Sequence, residues 1–153
     1  MLKVYDCGRV AHTLRFDGTG PIPWCTYTDP EIAHVGLYVR QARERGIPIK
    51  TFTVPMQEVD RAIIDGGEEG FVKIHVREGT DAILGATVVA RHAGEMINGL
   101  SLAIVAGIGL DTMAGVIHTY PTQAEAIREA AQAYRRSHRP RWRAWLQRIR
   151  NIR

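Results

Sequence analysis

One short run in this 153-residue chain groups side chains able to do chemistry: His118-Thr119-Tyr120-Pro121-Thr122-Gln123-Ala124-Glu125. An imidazole, a phenol and a carboxylate this close together are the parts from which proton transfer is built. The same residues also have a purely structural reading. Thr122 and Glu125 have the S/T-x-x-E spacing of a capping box, in which the hydroxyl accepts from the amide of the third helical residue and the carboxylate reaches back to the cap amide. Ala124, Ile127, Ala131 and Tyr134 would then lay a buried stripe along the helix that follows. On spacing alone the cap is the preferred reading.

Other reactive groups are dispersed. Cys7 and Cys25 lie 18 positions apart, unlike a close redox pair. Cys25 falls in a β-forming stretch among apolar neighbours, which predicts a buried free thiol. The six histidines stand at 12, 34, 75, 92, 118 and 138, without zinc-site spacing, so no metal site is expected. No G-x-G-x-x-G follows a strand, and no Ser/His/Asp arrangement can be argued. Taken by itself the chain is expected to bind no cofactor and to catalyse nothing.

Positioning these groups falls to one domain of ordinary size, because 45% of the residues are hydrophobic and 24% charged. Intrinsic disorder and a disulfide scaffold are excluded by the aliphatic content and by two cysteines. The longest apolar run, Leu100 to Leu110, has 11 residues, where a membrane span needs about 20. No charged leader with an apolar stretch opens the sequence, so a cytoplasmic location is expected. The net charge of +4 hides two unlike parts. Residues 130–153 carry eight arginines and no acid, while the preceding body is net −4. A basic tail on a mildly acidic body does not make a nucleic-acid-binding domain.

The elements read as α+β. Ile22 to Thr28 is rich in β-formers, Thr28-Asp29-Pro30-Glu31 is a turn, and Ile32 to Leu37 is extended. Tyr38 to Arg45 is a short helix stopped by Gly46. Ile47 to Val54 is a strand, and Met56 to Asp65 a helix ended by Gly66-Gly67. Val72, Ile74 and Val76 alternate with Lys73 and His75, the pattern of a half-buried antiparallel strand. A turn at Glu78-Gly79-Thr80-Asp81 leads to a return strand, Ala82 to Ala90, that is apolar on both faces. The body is therefore a meander with helices packed on it, and not an alternating βαβ chain.

A long helix is predicted from Ala93 to about Ile108. Met96, Ile97, Leu100, Ala103, Ile104, Gly107 and Ile108 form its core stripe. Leu102, Val105 and Ala106 lie off that stripe, so the helix is apolar nearly all round. Either it is wrapped completely or its outer row is a subunit interface; the interface is preferred, because so small a body has few elements left to wrap it. After Pro140, Trp142, Trp145, Leu146, Ile149 and Ile152 recur at helical spacing among arginines. This basic amphipathic tail suits docking onto the chain or its twin, then a membrane surface; nucleic acid is the least favoured partner.

A resemblance joins these pieces. Ile22-Pro23-Trp24-Cys25-Thr26-Tyr27-Thr28-Asp29-Pro30-Glu31-Ile32-Ala33-His34-Val35-Gly36-Leu37 resembles the opening of the C-terminal domain of flavin-dependent pyridine nucleotide–disulfide oxidoreductases, such as dihydrolipoamide dehydrogenase, glutathione reductase and mercuric reductase. The likeness resumes, in order, at Gly70-Phe71-Val72-Lys73-Ile74, Ile83-Leu84-Gly85-Ala86, Gly94-Glu95-Met96-Ile97 and His118 to Glu125. It implies an antiparallel sheet with helices that pairs two subunits, and FAD and NAD(P) in the full-length enzyme.

It further implies that Tyr120, Pro121 and Thr122 reach the partner's flavin site, with Tyr120 and Glu125 in the family's catalytic positions. The Tyr120–Pro121 bond is then expected to be cis. Relatives usually carry His where Tyr120 stands, and a phenol with an ordinary pKa near 10 cannot exchange protons at neutral pH as imidazole does. That departure points to a mercuric-reductase-like branch, although the chain ends Asn151-Ile152-Arg153 without the vicinal cysteines of mercuric reductases. His118 is expected to be structural.

The expected organisation is a lead-in segment or linker over 1–20, a reductase dimerisation domain over 21–137 and a basic amphipathic helix over 138–153. The expected partners are a second copy of the chain and the FAD- and NAD(P)-binding domains of the same enzyme. The alternative is a stand-alone binding or membrane-surface module that reuses the fold.

Overall fold

The computed structural model describes residues 20–138. Cys7, nearly all of the expected lead-in segment and all but the first residue of the expected basic helix lie outside them, and so do the readings of the tail as a docking or membrane element.

Five strands, β1 (Trp24–Thr26), β2 (Glu31–Gly36), β3 (Ile49–Pro55), β4 (Phe71–Arg77) and β5 (Ile83–Ala90), form one sheet in the order β1-β2-β5-β4-β3. Every neighbouring pair is antiparallel. The helices are α1 (Val39–Glu44), α2 (Asp60–Ile64), α3 (Ala93–Val105), α4 (Leu110–Met113) and α5 (Glu125–His138). The α+β architecture read from the alternation of β4 is the one found.

Register explains where the core sits. Val72 and Ile74 of β4 lie opposite Val54 and Phe52 of β3, and opposite Val88 and Ala86 of β5; the last two face Ala33 and Val35 of β2. Side chains in register share a face, and α3 and α5 close over this one. Val72, Ile74, Val88, Ala86, Ala33 and Val35 are completely buried there. Each fully buried valine or isoleucine side chain among them contributes about 1.5–3 kcal/mol relative to exposure.

The second sheet face departs from the simple alternation. His75, expected beside Lys73 on a half-wet face, is buried. It lies opposite Gly85 of β5 and Thr51 of β3. The chain leaving β2 crosses over Gly85, with the Leu37 amide donating to the Leu84 carbonyl at 2.9 Å. A Cβ on Gly85 would collide with the Leu37 backbone, so the crossing requires glycine. It covers the middle of a face that alternation alone would leave wet.

Three further boundaries differ from expectation. The Met56 to Asp65 helix is broken: a 3-10 turn, Met56–Glu58, precedes α2, and Val59 between them is extended and buried. Burying Val59 outweighs continuing a helix through it. Helix α3 ends at Val105 rather than near Ile108, because Gly107 takes φ +67°. The amides of Gly107 and Ile108 donate to Ile104 and Ala103, a left-handed glycine stop that satisfies the last carbonyls. Gly107 and Ile108 are thereby exposed instead of completing the core stripe. Helix α4 was not foreseen; Leu110, fully buried, anchors it, and its amide donates to the Asp81 carbonyl at 2.8 Å.

Candidate functional site

The segment joining α4 to α5 carries the chemistry-bearing run. Val116, Ile117 and Tyr120 project from it, with Ile117 almost fully exposed. The Tyr120–Pro121 bond is cis, as the resemblance implies. The Thr122 hydroxyl donates to the Thr119 carbonyl at 2.9 Å and closes the turn around Pro121. Ala126 and Ile127 are buried, which fixes where α5 begins and holds the end of the segment on the core.

The capping box does not form. Thr122 spends its hydroxyl on Thr119, and the Glu125 carboxylate instead pairs with Arg128 at 2.6 Å. A charge-assisted bond to guanidinium is a stronger attraction than a bond to a neutral amide. Tyr120 and Glu125 are therefore neighbours without a hydrogen bond between them. The acceptor for the Tyr120 phenol is Asp60 of α2, with Oδ2 at 2.8 Å. That bond, with the negative charge of Asp60, some desolvation and the charge of Glu125, raises the phenol above its ordinary value of 10. At neutral pH the hydroxyl keeps its proton and points it at Asp60. Asp60 was missed in the sequence because nothing in local spacing connects it to a residue sixty positions away.

The other candidates are structural. His118 is half-buried, and among the described residues its Nδ1 meets the Val116 carbonyl at 3.2 Å. Cys25 is a free thiol, half-buried rather than buried. Its short strand β1 is a sheet edge, and burial followed by the charge of Glu31 pushes the thiol up, away from reactivity. His34 and His75 hold hydrogen bonds to Thr87 at 2.9 Å and Thr51 at 2.8 Å. Burial lowers both imidazoles, that of His75 to about 4, so they stay neutral within the sheet. Among the described residues no three His, Cys, Asp or Glu side chains gather as a metal site.

For a flavin the chain offers the exposed Tyr120-Pro121-Thr122 edge. The cleft bounded by Asp29, Pro30, Gly66, Gly67, Glu69 and Arg91 has a volume of about 230 Å³, too small to enclose a dinucleotide.

The family described as the pyridine nucleotide-disulphide oxidoreductase dimerisation domain matches residues 22–131. This chain belongs to that family. Two of its motifs meet in space: the Glu31 carboxylate accepts from the Gly94 amide at 2.9 Å, tying the strand motif to the start of α3.

The mercuric reductase of Streptomyces lividans is 40% identical over 113 residues, 74% of this chain and 24% of that protein. The mitochondrial dihydrolipoyl dehydrogenase of Pisum sativum is 36% identical over 129 residues, 84% of this chain and 25% of that one. Among solved structures, LpdA from Mycobacterium tuberculosis superposes with a TM-score of 0.70 at 30% identity, covering 74% of this chain and 25% of that one. The HOCl-induced flavoprotein disulfide reductase RclA from Escherichia coli gives 0.72 at 28% identity, covering 76% and 27%. The dimerisation domain described here thus spans about a quarter of the length of the curated relatives it matches. No helix among the described residues is long and apolar enough to cross a membrane.

Proposed function

We propose that this chain is the subunit-pairing domain of a mercuric-reductase-like, flavin-dependent pyridine nucleotide–disulfide oxidoreductase, that it forms a homodimer, and that it is catalytically inert alone. The observation that carries the reading is the outer row of α3. Leu102 is 66% and Val105 70% exposed on a helix whose inner row is buried. Apolar side chains standing side by side in water mark a surface meant for a partner. Among the described residues nothing wraps that row, which supports the interface reading over complete wrapping.

In this reading the Tyr120-Pro121-Thr122 edge forms part of the partner subunit's flavin site, where the flavin supplies the electron transfer. Asp60 holds the Tyr120 hydroxyl, and the Thr122–Thr119 bond holds the turn that presents it. Tyr120 orients and shields at neutral pH; it does not shuttle a proton, because its phenol is raised and its proton is already donated. Glu125 holds Arg128 and serves the architecture of α5.

Sedimentation velocity at tens of micromolar tests the pairing. A dimer is expected, and a monodisperse monomer would overturn the reading. Adding FAD to the purified chain tests inertness: tight yellow binding by the chain alone would contradict it.

A further inference from the structure

Subunit pairing leaves one motif of the chain unused, the basic apolar stretch that follows α5. Residues 140–153 hold five arginines and no carboxylate. At about 100° per residue, Trp142, Trp145, Leu146, Ile149 and Ile152 fall within one arc of about 120°. Arg141 and Arg148 flank that arc on one side, and Arg143 and Arg150 on the other. The uncharged Ala144, Gln147 and Asn151 lie opposite it, and Arg153 alone falls on the apolar side. A helix docked on a protein also carries charges at the rims of its stripe, but cations on both rims then require carboxylates on both sides of its seat. At the end of α5 the neighbouring carboxylates are taken. Asp111 pairs with Arg135 at 2.8 Å, and Glu129 pairs with Arg128 at 2.9 Å and Arg136 at 3.8 Å. The last turn of α5 is itself basic, with Arg135, Arg136 and His138, so cationic surface runs from the described fold into the stretch. Docking onto the chain, preferred on sequence alone, thereby loses its counter-charges.

We propose that residues 140–153 bind the surface of an anionic lipid bilayer as an interfacial helix, the Trp142 to Ile152 stripe in the headgroup boundary and the flanking arginines on lipid phosphates. Rims at headgroup level are where long cationic side chains reach phosphate while their stems stay on the apolar side. Tryptophan suits the same depth, because its ring is apolar and its N–H needs a partner. Pro140 suits the first turn of such a helix. Fourteen residues are too few to span a bilayer, which takes about 20, so the stretch lies in the plane of the surface. Nucleic acid would take the arginines but leave Leu146, Ile149 and Ile152 in water. The outer row of α3 plays no part in this binding, which stands whether or not the chain pairs.

The test is flotation of the full chain with vesicles of phosphatidylcholine alone and of phosphatidylcholine mixed with phosphatidylglycerol, with tryptophan emission followed alongside. Trp24 in β1 is the constant background. On the anionic vesicles the chain should float and its emission shift to the blue. Neutral vesicles should bind it about tenfold or more weakly, because each arginine gains near an anionic surface. Trp142→Ala with Trp145→Ala should lose about tenfold or more, and so should Arg143→Gln with Arg150→Gln. Both pairs lie outside the described fold, and circular dichroism checks that it is kept. Leu102→Glu with Val105→Glu, aimed at the pairing surface, should still float, so loss of pairing and loss of lipid binding are read separately. Absence of flotation, equal binding to neutral vesicles, or a tryptophan variant that floats like the parent overturns the proposal. Blue-shifted emission that vesicles leave unchanged would place the stretch on the chain's own surface. Tighter binding to a DNA duplex that survives the tryptophan changes would assign it to nucleic acid. Either result overturns the proposal as well.

Discussion

Helices α3 and α5 lie on the same face of the sheet and differ in what they present outward. On α5, Ala126, Ile127, Ala130, Ala131 and Tyr134 face the core, while on its outer side Arg128 pairs with Glu125 and Glu129, and Arg135 pairs with Asp111. On α3, Ala93, Met96, Ile97, Leu100 and Ala103 face the core, but the opposite row holds Gly99, Leu102, Val105 and Ala106, largely exposed. Two helices with equivalent inner rows thus end differently. The charged back of α5 suits water, whereas the apolar back of α3 is left uncovered by the described residues, as the proposed pairing surface would be.

The inner row gives the largest expected effect. Leu100→Ala removes a completely buried side chain and should lower unfolding stability by about 3–5 kcal/mol in urea titrations. Leu102→Ala, the same change two residues along, should cost the isolated fold less than about 0.5 kcal/mol. Equal costs would erase the distinction between rows. The outer row should show itself in mass. Leu102→Glu with Val105→Glu is expected to leave circular dichroism unchanged and to weaken dimerisation by about a hundredfold or more in sedimentation. An unchanged dimer would mean that α3 is not the pairing surface, and an unfolded chain would mean that its back belongs to the core.

The two-sided apolar pattern of α3 was legible in the sequence because helical periodicity exposes a surplus row directly. The alternation of β4 was equally clear, and the glycine stops expected after α1 and α2 adopt positive φ at Gly46 and Gly66, whereas Gly107, read as part of the α3 stripe, proves to be a third stop. What periodicity could not show depended on contacts remote in sequence. Val59 breaks a helical pattern because the core claims it, and α4 is too short to have a period. His75 reads as half-wet until Gly36 and Leu37 cross the sheet above Gly85. At the candidate site the motif named Tyr120 and Glu125 but could not name their partners. Arg128 took Glu125, and Asp60 took Tyr120.

The sheet face away from α3 and α5 supplies a third contrast, since it buries imidazoles instead of aliphatics. Burial, with the charges of Lys73 and His34, lowers His75 from 6.5 to about 4. The unfolded chain then binds more protons than the folded chain between those values. His75's contribution is complete above pH 6.5 and is lost as pH falls through 6.5 to 4. A loss of about 2–3 kcal/mol is expected over that window in urea unfolding, and His75→Asn should flatten most of it, leaving the smaller slope from His34. A smaller effect belongs to the end of α3. Gly107→Ala forces a methyl into positive φ with nothing crowding it, so only backbone strain of about 1 kcal/mol should appear, without change in dimer mass.

The smallest effect bears on the site itself, where finished and unfinished surfaces meet. Glu125 belongs to the ion-paired back of α5, whereas Tyr120 projects with Val116 and Ile117 and is held by Asp60. If Asp60 is the acceptor, Asp60→Asn removes the charge that holds the phenol proton, and the Tyr120 value should fall toward its ordinary 10. Both groups meet solvent, so screening keeps the change small. Ultraviolet difference titration reads it, with Tyr120→Phe identifying the transition among the five tyrosines. Glu125→Gln should move the same transition less, since its charge acts only at a distance and is already neutralised by Arg128. The opposite order of effects would return the phenol to Glu125 and break the division between a carboxylate that finishes α5 and one that serves the partner-facing edge.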